Sequence, residues 1–353
     1  MPTAQRKEQQ AMKSGFSENV SNGLRVCLDW LAFTIQDASE ALEAVEFLGF
    51  ESAEFVDMPR GMHGYLSRIR HHSLAVDILS KGREDMGVHI VIAGSALHDV
   101  IVSYYKSHLC NTPFDSMAFE VSDFETTVLR EFLIDITKNC QITRMDLAID
   151  DIGGLHYSVS DVRDILVSGS YSSKFRGWRE INGFVNGKSS GSTIYMGSPQ
   201  SAIMLRIYDK QAEQNIKAEK DNLPLIDVPW VRWEMELKKE RAHKAGLSIA
   251  SGIPVREVAI GVLANYLRFV VNDDVRIDRC STDLKWASFC NGVRKMSLYV
   301  PTPPRTIDDT KRWLLRQVSP SLANVIKSEY GDSAFIYQML EYGAIKSGFK
   351  TAN

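Results

Sequence analysis

Residues 193–198 read TIYMGS and residues 204–210 read MLRIYDK, and apolar and polar residues alternate in both segments. Because successive side chains of a β-strand point to opposite faces, both segments predict amphipathic strands. The polar side of the first strand carries Tyr195, and the polar side of the second carries Arg206, Tyr208 and Lys210. If the two polar sides coincide, a tyrosine hydroxyl lies among cationic groups.

Such a hydroxyl is suited to attack a phosphate. Cations stabilise the phenolate and also the charge that develops on the phosphoryl oxygens. An ordinary amphipathic hairpin with a solvated polar face is the alternative that this pattern leaves open.

Two further segments share the alternating design, ITRMDLAIDD at residues 142–151 and VRWEMELK at residues 231–238. Each has an apolar side and a polar side, and the polar sides carry four carboxylates: Asp146, Asp150, Glu234 and Glu236. Carboxylate oxygens are the hard ligands that divalent cations prefer, so these residues predict a site for Mg²⁺ or Mn²⁺. A cross-strand ladder of salt bridges is the alternative.

The four motifs together resemble the Rep_trans group of replication initiation factors. The motifs are VCLDWLAFT at residues 26–34, TRMDLAIDD, STIYMGSPQSAIMLRIYDKQAEQ and VRWEMELK, and they span roughly residues 24–240. This group includes initiators of rolling-circle plasmids, nicking relaxases of integrative conjugative elements and initiators of some filamentous phages. The order and spacing of the motifs carry the resemblance, since each motif alone is weak.

The resemblance implies that Tyr195 nicks one DNA strand at an origin by transesterification. The tyrosine would stay attached to the 5′ phosphate and leave a free 3′ hydroxyl, while Arg206 and Lys210 stabilise the transferred group. Tyr208 and His89 are further candidates. Related HUH enzymes carry a His-hydrophobic-His metal strand, whereas this chain offers only His89 in GVHIVI at residues 87–92, so its metal site would depend on carboxylates.

The expected partners are single-stranded and double-stranded origin DNA, together with a host helicase and polymerase. A homodimer is left open, as is the type of mobile element. Two other functions are the alternatives: a non-enzymatic origin-binding protein, and a metal-dependent nuclease that uses water as its nucleophile.

Residues 168–191 interleave basic and aromatic side chains in a Gly/Ser-rich stretch. This pattern suits single-stranded DNA, because bases stack on rings while cations follow the backbone. The candidate contacts are Lys174, Arg176, Trp178 and Arg179. A loop whose aromatic residues fold onto the sheet is the alternative.

Composition indicates an ordinary globular protein, with 44% hydrophobic residues, 24% charged residues and a net charge of −3. The chain therefore has no global basic field that would indicate nucleic-acid binding. Five scattered cysteines without a zinc-binding spacing favour a reduced, cytoplasmic protein. We expect no secretory signal and no contact with a membrane, because no apolar run is long enough.

The order of predicted elements favours an α+β fold with a largely antiparallel sheet and flanking helices. The resemblance implies that this part of the chain is an HUH/Rep-like endonuclease lobe. We predict a disordered arm at residues 1–22, a catalytic nicking domain at 23–241 and a helical DNA-recognition or interaction domain at 242–353. A basic helix at residues 307–317 would read duplex DNA with Lys311, Arg312 and Arg316 beside core-facing Trp313 and Leu314. A fragment that ends near Arg241 would then still cleave a single-stranded oligonucleotide weakly but lose its preference for the duplex origin. The alternative is that these helices only brace the sheet or mediate self-association.

Overall fold

The computed structural model describes residues 16–19, 23–108, 121–185, 187–301, 306–328 and 331–348. The chain divides into two compact units, Met1–Tyr299 and Val300–Asn353. The first unit contains the sheet and all the candidate residues around Tyr195. The second unit is helical in its described residues.

Within the described ranges, eleven strands form one antiparallel sheet. These strands are β1 (Phe16–Asn19), β2 (Leu24–Ile35), β3 (Phe55–Asp57), β4 (Ser67–His71), β5 (Val76–Ser80), β6 (Val88–Ala93), β7 (Cys140–Ile152), β9 (Trp178–Val185), β10 (Lys188–Met196), β11 (Ile203–Asp209) and β12 (Trp230–Lys238). Their order is β3-β4-β5-β6-β2-β7-β12-β11-β10-β9, and β1 pairs with β2. The strands β8 (Tyr171–Ser173) and β13 (Leu267–Phe269) form a separate pair. The predicted α+β class with a largely antiparallel sheet is confirmed.

The helices of the first unit are α1 (Ala41–Phe47), α2 (Gly94–His108), α3 (Val121–Asn139), α4 (Val159–Ser168), α5 (Lys210–Lys220), α6 (Glu240–Ala250), α7 (Val255–Tyr266) and α8 (Leu284–Cys290). Those of the second unit are α9 (Ile307–Trp313), which continues into a π-helical turn at Leu314–Val318, α10 (Ser319–Ser328) and α11 (Ala334–Ser347). Helices α3, α6 and α7 pack against the central strand β7, and α2 and α7 contact its neighbour β2.

The alternation read from the sequence separates an apolar face from a polar face in the centre of the sheet. On the apolar face, Leu147 of β7, Trp233 of β12 and Ile207 of β11 are fully buried. The alternate residues of each strand point to the opposite face and carry the charged and phenolic groups. The helices thus cover one side of these strands, and the candidate site occupies the other.

The Gly/Ser-rich stretch predicted as a loop forms strands instead. Residues 178–185 pair with residues 188–196 as an antiparallel hairpin, with an irregular register between Ser189 and Ser192. Gly187, next to the hairpin turn, has a positive φ of 77°. Glycine adopts this conformation without steric cost, which favours a tight connection at this point.

Residues 240–290 belong to the first unit, so the boundary lies at 299/300 rather than at the predicted 241/242. Helix α7 buries its apolar residues completely, and the α8 rings of Trp286 and Phe289 lie 5.9 Å and 5.1 Å from Trp233 of β12. The change to helical sequence after Arg241 therefore marks the helical cover of the sheet. At the other end, residues 16–19 of the predicted disordered arm form β1, which pairs with β2.

Among the described helices, none combines the length and the apolar character that crossing a membrane requires.

We expect a fragment of residues 1–241 to lose cooperative unfolding, because it lacks α7 and α8. Burial of one Val, Leu or Ile side chain is worth roughly 1.5–3 kcal/mol, so even four such residues in α7 match the total stability of a typical domain, about 5–15 kcal/mol. Circular dichroism during thermal denaturation measures this loss. A fragment of residues 1–299 is the control and should unfold cooperatively. A cooperative transition in the shorter fragment would contradict the assignment of α7 and α8 to this core.

Candidate active site

Tyr195 lies on β10 between two arginines. In the antiparallel register it is directly opposite Arg206 of β11 on one side and Arg179 of β9 on the other. Directly opposite residues share a face of the sheet, so the two polar sides coincide as expected. The guanidinium carbon of Arg179 lies 5.1 Å from the centre of the partly exposed Tyr195 ring.

Arg206 is in turn held by Glu234 of β12, its partner in the next strand pair. Its Nη2 donates a hydrogen bond to Oε1 of Glu234 and lies 3.5 Å from Oδ2 of Asp146. The Tyr208 hydroxyl donates to Oε2 of the same Glu234 at 2.9 Å. The Nε of Arg206 is buried and has no acceptor among the described residues, so one donor of this guanidinium is unused.

Asp146 and Glu236 lie opposite each other on β7 and β12. Nη2 of Arg144 bridges them, at 2.5 Å from Asp146 and 3.2 Å from Glu236, and Nζ of Lys238 lies 2.6 Å from Glu236. Burial raises the pKa of Asp146 to about 7 although Arg144 acts against the shift. Three carboxylates and three cations are thus packed together beside Tyr195. We call this set the carboxylate cluster: Asp146, Glu234, Glu236, Arg144, Arg206 and Lys238.

Asp150 does not join that cluster, contrary to the prediction. Its side chain is fully buried, where it accepts from Arg25 at 2.8 Å, Arg232 at 2.7 Å and Trp230 at 2.8 Å. Burial alone would raise the pKa of Asp150, but the guanidinium groups of Arg232 and Arg25 hold it below its usual value. With both oxygens engaged in these bonds, Asp150 has a structural role in joining β2, β7 and β12.

The carboxylate cluster offers the right donors for a divalent cation but not a finished site. Within the described residues, no group of three His, Cys, Asp or Glu side chains is arranged to hold a metal ion. Arg144 and Arg206 bond the oxygens that such an ion would use. The donor chemistry still fits, because the three carboxylates are hard ligands, adjacent and desolvated.

Lys210 lies next to Tyr208 rather than at the nucleophile. Strand β11 ends at Asp209, which caps α5 by accepting from the backbone of Ala212, and Lys210 is the first residue of that helix. Its Nζ lies 2.5 Å from Glu213 and 3.4 Å from the Tyr208 hydroxyl. Since the strand ends here, the alternation that predicted Lys210 beside Tyr195 does not extend to it.

His89 lies far from the carboxylate cluster. It is opposite Thr34, whose other partner, Gln141, is five residues from Asp146, or about 17 Å along β7. Its Nδ1 is 2.9 Å from the Thr34 hydroxyl, its ring stacks on Tyr65, and burial lowers its pKa to about 4. These contacts describe a satisfied sheet histidine.

The predicted single-strand contacts do converge, since Lys174, Arg176, Trp178 and Arg179 line one cavity. Two residues that were not predicted also line its wall, Arg241 of α6 and Tyr266 of α7. No local signal identifies them, because they come from helices distant in the chain. The rings of Phe175 and Trp178 also pack against the core. This agrees in part with the alternative, in which the aromatic residues of this stretch fold onto the sheet.

In the second unit, Lys311 and Arg312 lie on α9, and Arg316 lies on the π-helical turn that follows. Arg312 and Arg316 line a small cavity with Trp313 and Gln317. Trp313 and Leu314, predicted to face a core, are 45% and 43% exposed. The prediction of one α-helix at residues 307–317 is also only partly correct, because the α-helix ends at Trp313 and a π-helical turn follows.

The chain is similar to a known protein family and to individual known proteins. Residues 140–340 match the model of a family described as replication initiation factor. The chain is 32% identical over 192 residues to a putative DNA relaxase, NicK, of Bacillus subtilis (strain 168). This match covers 53% of each sequence, so the chain spans about half the length of the curated relative.

A solved structure with the same fold is the rolling circle replication initiator protein from Geobacillus stearothermophilus. The two align with a TM-score of 0.60 and 25% sequence identity, covering 79% of this chain and 100% of the other.

We expect Asp146→Asn to change how stability depends on pH. The folded protein keeps a proton on Asp146 up to about pH 7, whereas the unfolded chain loses it near the ordinary value of 3.8. Between these values the folded state binds more protons, so this group lowers the free energy of unfolding as pH rises. Denaturant titrations from pH 4 to pH 7 should show that Asp146→Asn removes this decrease, while Asp164→Asn, at an exposed position, keeps it. A profile for Asp146→Asn that matches the unmodified protein would contradict the raised pKa.

Proposed function

The chain belongs to the replication initiation factor family, and from this premise we propose that it nicks one DNA strand at a replication origin, with Tyr195 as the nucleophile. The observation that carries the proposal is the placement of the Tyr195 ring between Arg179 and Arg206, within the segment that the family model matches. A phenol flanked by two arginine residues suits attack on a phosphodiester, because both the phenolate and the phosphate are anionic.

In the proposed step, the Tyr195 oxygen forms a bond to the scissile phosphorus and the bond from phosphorus to the 3′ oxygen breaks. The phenol loses its proton and the 3′ oxygen gains one, which leaves a 5′-phosphotyrosine and a free 3′ hydroxyl. Arg206 and Arg179 would stabilise the charge on the phosphoryl oxygens.

We propose that Asp146, Glu234 and Glu236 bind a divalent cation, Mg²⁺ or Mn²⁺. When bound, such an ion polarises a phosphate and stabilises its negative charge. Asp146, Glu234 and Glu236 would hold the ion, and Arg206 would add cationic stabilisation beside Tyr195. Asp150 stays outside this group.

Origin DNA is the proposed partner, single-stranded at the sheet and double-stranded at the second unit. Lys311, Arg312 and Arg316 place three cations on consecutive turns there, which suits contacts with phosphates. A free 3′ hydroxyl is a primer, so a host polymerase and helicase are the partners that the product requires. A homodimer stays open.

We expect Tyr195→Phe to abolish the covalent protein–DNA adduct, because it removes the attacking oxygen. Enzymes lower barriers of this kind by about 8–23 kcal/mol, so loss of the nucleophile should cost several powers of ten in rate. Denaturing gel electrophoresis with a labelled single-stranded oligonucleotide and Mn²⁺ measures the adduct. Tyr208→Phe, on the same face, is the matched control and should retain it. An adduct that persists in Tyr195→Phe and disappears in Tyr208→Phe would show that Tyr208 is the nucleophile and would contradict the proposal for Tyr195.

We expect Glu234→Gln and Glu236→Gln each to weaken Mn²⁺ binding, since an amide is a poorer ligand than a carboxylate. Loss of an outer-shell group alone costs metal sites about 10–100-fold in affinity, so loss of a direct ligand should cost at least as much. Isothermal titration calorimetry measures the affinity. The control is Glu213→Gln, which changes a partly buried carboxylate of α5 outside the cluster. Unchanged affinity in both cluster variants would reduce the cluster to a ladder of salt bridges.

A further inference from the structure

A cavity of about 610 Å³ opens beside the end of β10. Residues 174–179 form one wall, residues 197–203 form another, and α6 and α7 close it with one side chain each. Four lining residues are cationic, namely Lys174, Arg176, Arg179 and Arg241, and none of the described lining residues is acidic. In a chain whose net charge is −3, this concentration of positive charge favours an anionic ligand.

Aromatic rings form the apolar part of the same wall. The rings of Phe175 and Tyr266 lie 5.3 Å apart, and Trp178 lines the cavity beside them. Lys174 is fixed at the rim, because its Nζ donates to Asn265 at 2.7 Å and lies 5.6 Å from the Tyr266 ring. Arg176 is exposed and forms no ion pair with any described residue, so its guanidinium is available to a ligand.

The cavity shares one residue with the surroundings of the proposed nucleophile. Arg179 lines it and also lies over the Tyr195 ring. Gly197, another lining residue, is two positions from Tyr195, or about 7 Å along a strand. Gly197 has a φ of 86°, and a Cβ there would lie 3.0 Å from Phe175, so glycine allows the turn to approach the ring closely.

We propose that this cavity binds one extruded nucleotide of single-stranded DNA next to the scissile phosphate, with its base against Tyr266 and Phe175 and its phosphate paired with Arg176. Rings together with unopposed cations suit a base and a phosphate, and a base is accessible to such rings only when it is unstacked. The volume lies within the range of about 300–1,000 Å³ that is typical of small-molecule pockets. The inference rests on the proposed function and adds Tyr266 and Arg241 to the DNA-contacting residues.

The test uses the full chain and a fluorescently labelled dT 12-mer, with affinity measured by anisotropy. Tyr266→Leu should weaken binding by about 5- to 150-fold, because a stacked base contributes about 1–3 kcal/mol. Arg176→Gln should reduce the slope of log affinity against log salt by about 0.7, the value for one phosphate of a single strand. The matched control is Arg83→Gln, an exposed arginine paired with Asp85 between β5 and β6, which should change neither quantity.

A 12-mer with abasic sites at all positions separates base binding from phosphate binding. The unmodified protein should prefer the dT 12-mer, and Tyr266→Leu should lose that preference while its circular dichroism spectrum stays native. Equal affinity of the unmodified protein for both oligonucleotides, or an unchanged preference in Tyr266→Leu, would overturn the inference. An unchanged salt slope in Arg176→Gln would overturn the phosphate contact.

Adduct formation by the same protein distinguishes this inference from the proposed function. If the protein forms the adduct but the cavity variants bind the dT 12-mer as the unmodified protein does, the nucleotide site is wrong and the proposed function stands. If the cavity variants weaken binding but no adduct forms, the proposed function is wrong and the nucleotide site stands.

Discussion

The ion pair between Arg206 and Glu234 couples the strand that faces the nucleophile to the buried carboxylates, and the candidate site depends on it. Three cations pair with three carboxyl groups in this cluster, and each pair exists only in the observed register, since a slip of one residue would turn every side chain to the other face. Buried ion pairs are costly to desolvate, so they indicate little about stability. They matter here because the same register places Arg206 opposite Tyr195.

The two-residue period of the sequence predicted the faces of β7, β11 and β12 correctly, because alternation is a local property of a strand. Alternation alone does not specify that β10 pairs with β11, and it is this pairing that places Tyr195 beside Arg206. The same geometry also separates Asp150 from Asp146, since four residues along a strand span about 13 Å. That signal was present in the sequence, but the partner Arg25 was not recognisable, because β2 meets β7 only in the folded sheet.

Non-local packing explains the other differences. Helix α7 contacts β2 and β7, and α8 packs its rings on Trp233, so the helical sequence after Arg241 completes the core of the sheet instead of beginning a domain. Arg241 and Tyr266 reach the cavity beside Tyr195 through the same packing. Composition marks the change in secondary structure, whereas the position of a domain boundary depends on which faces are buried together.

The residue that becomes covalently bound to DNA decides whether Tyr195 is the nucleophile. After incubation with a single-stranded oligonucleotide and Mn²⁺, nuclease and trypsin digestion should leave a 5′-linked nucleotide on one peptide for mass spectrometry. Tryptic cleavage places Tyr195 as the single tyrosine of residues 189–206, and Tyr208 as that of residues 207–210. If Tyr195 is the nucleophile, we expect the added nucleotide mass on the peptide of residues 189–206. The same mass on residues 207–210, or DNA cleavage that leaves both peptides unmodified, would contradict it.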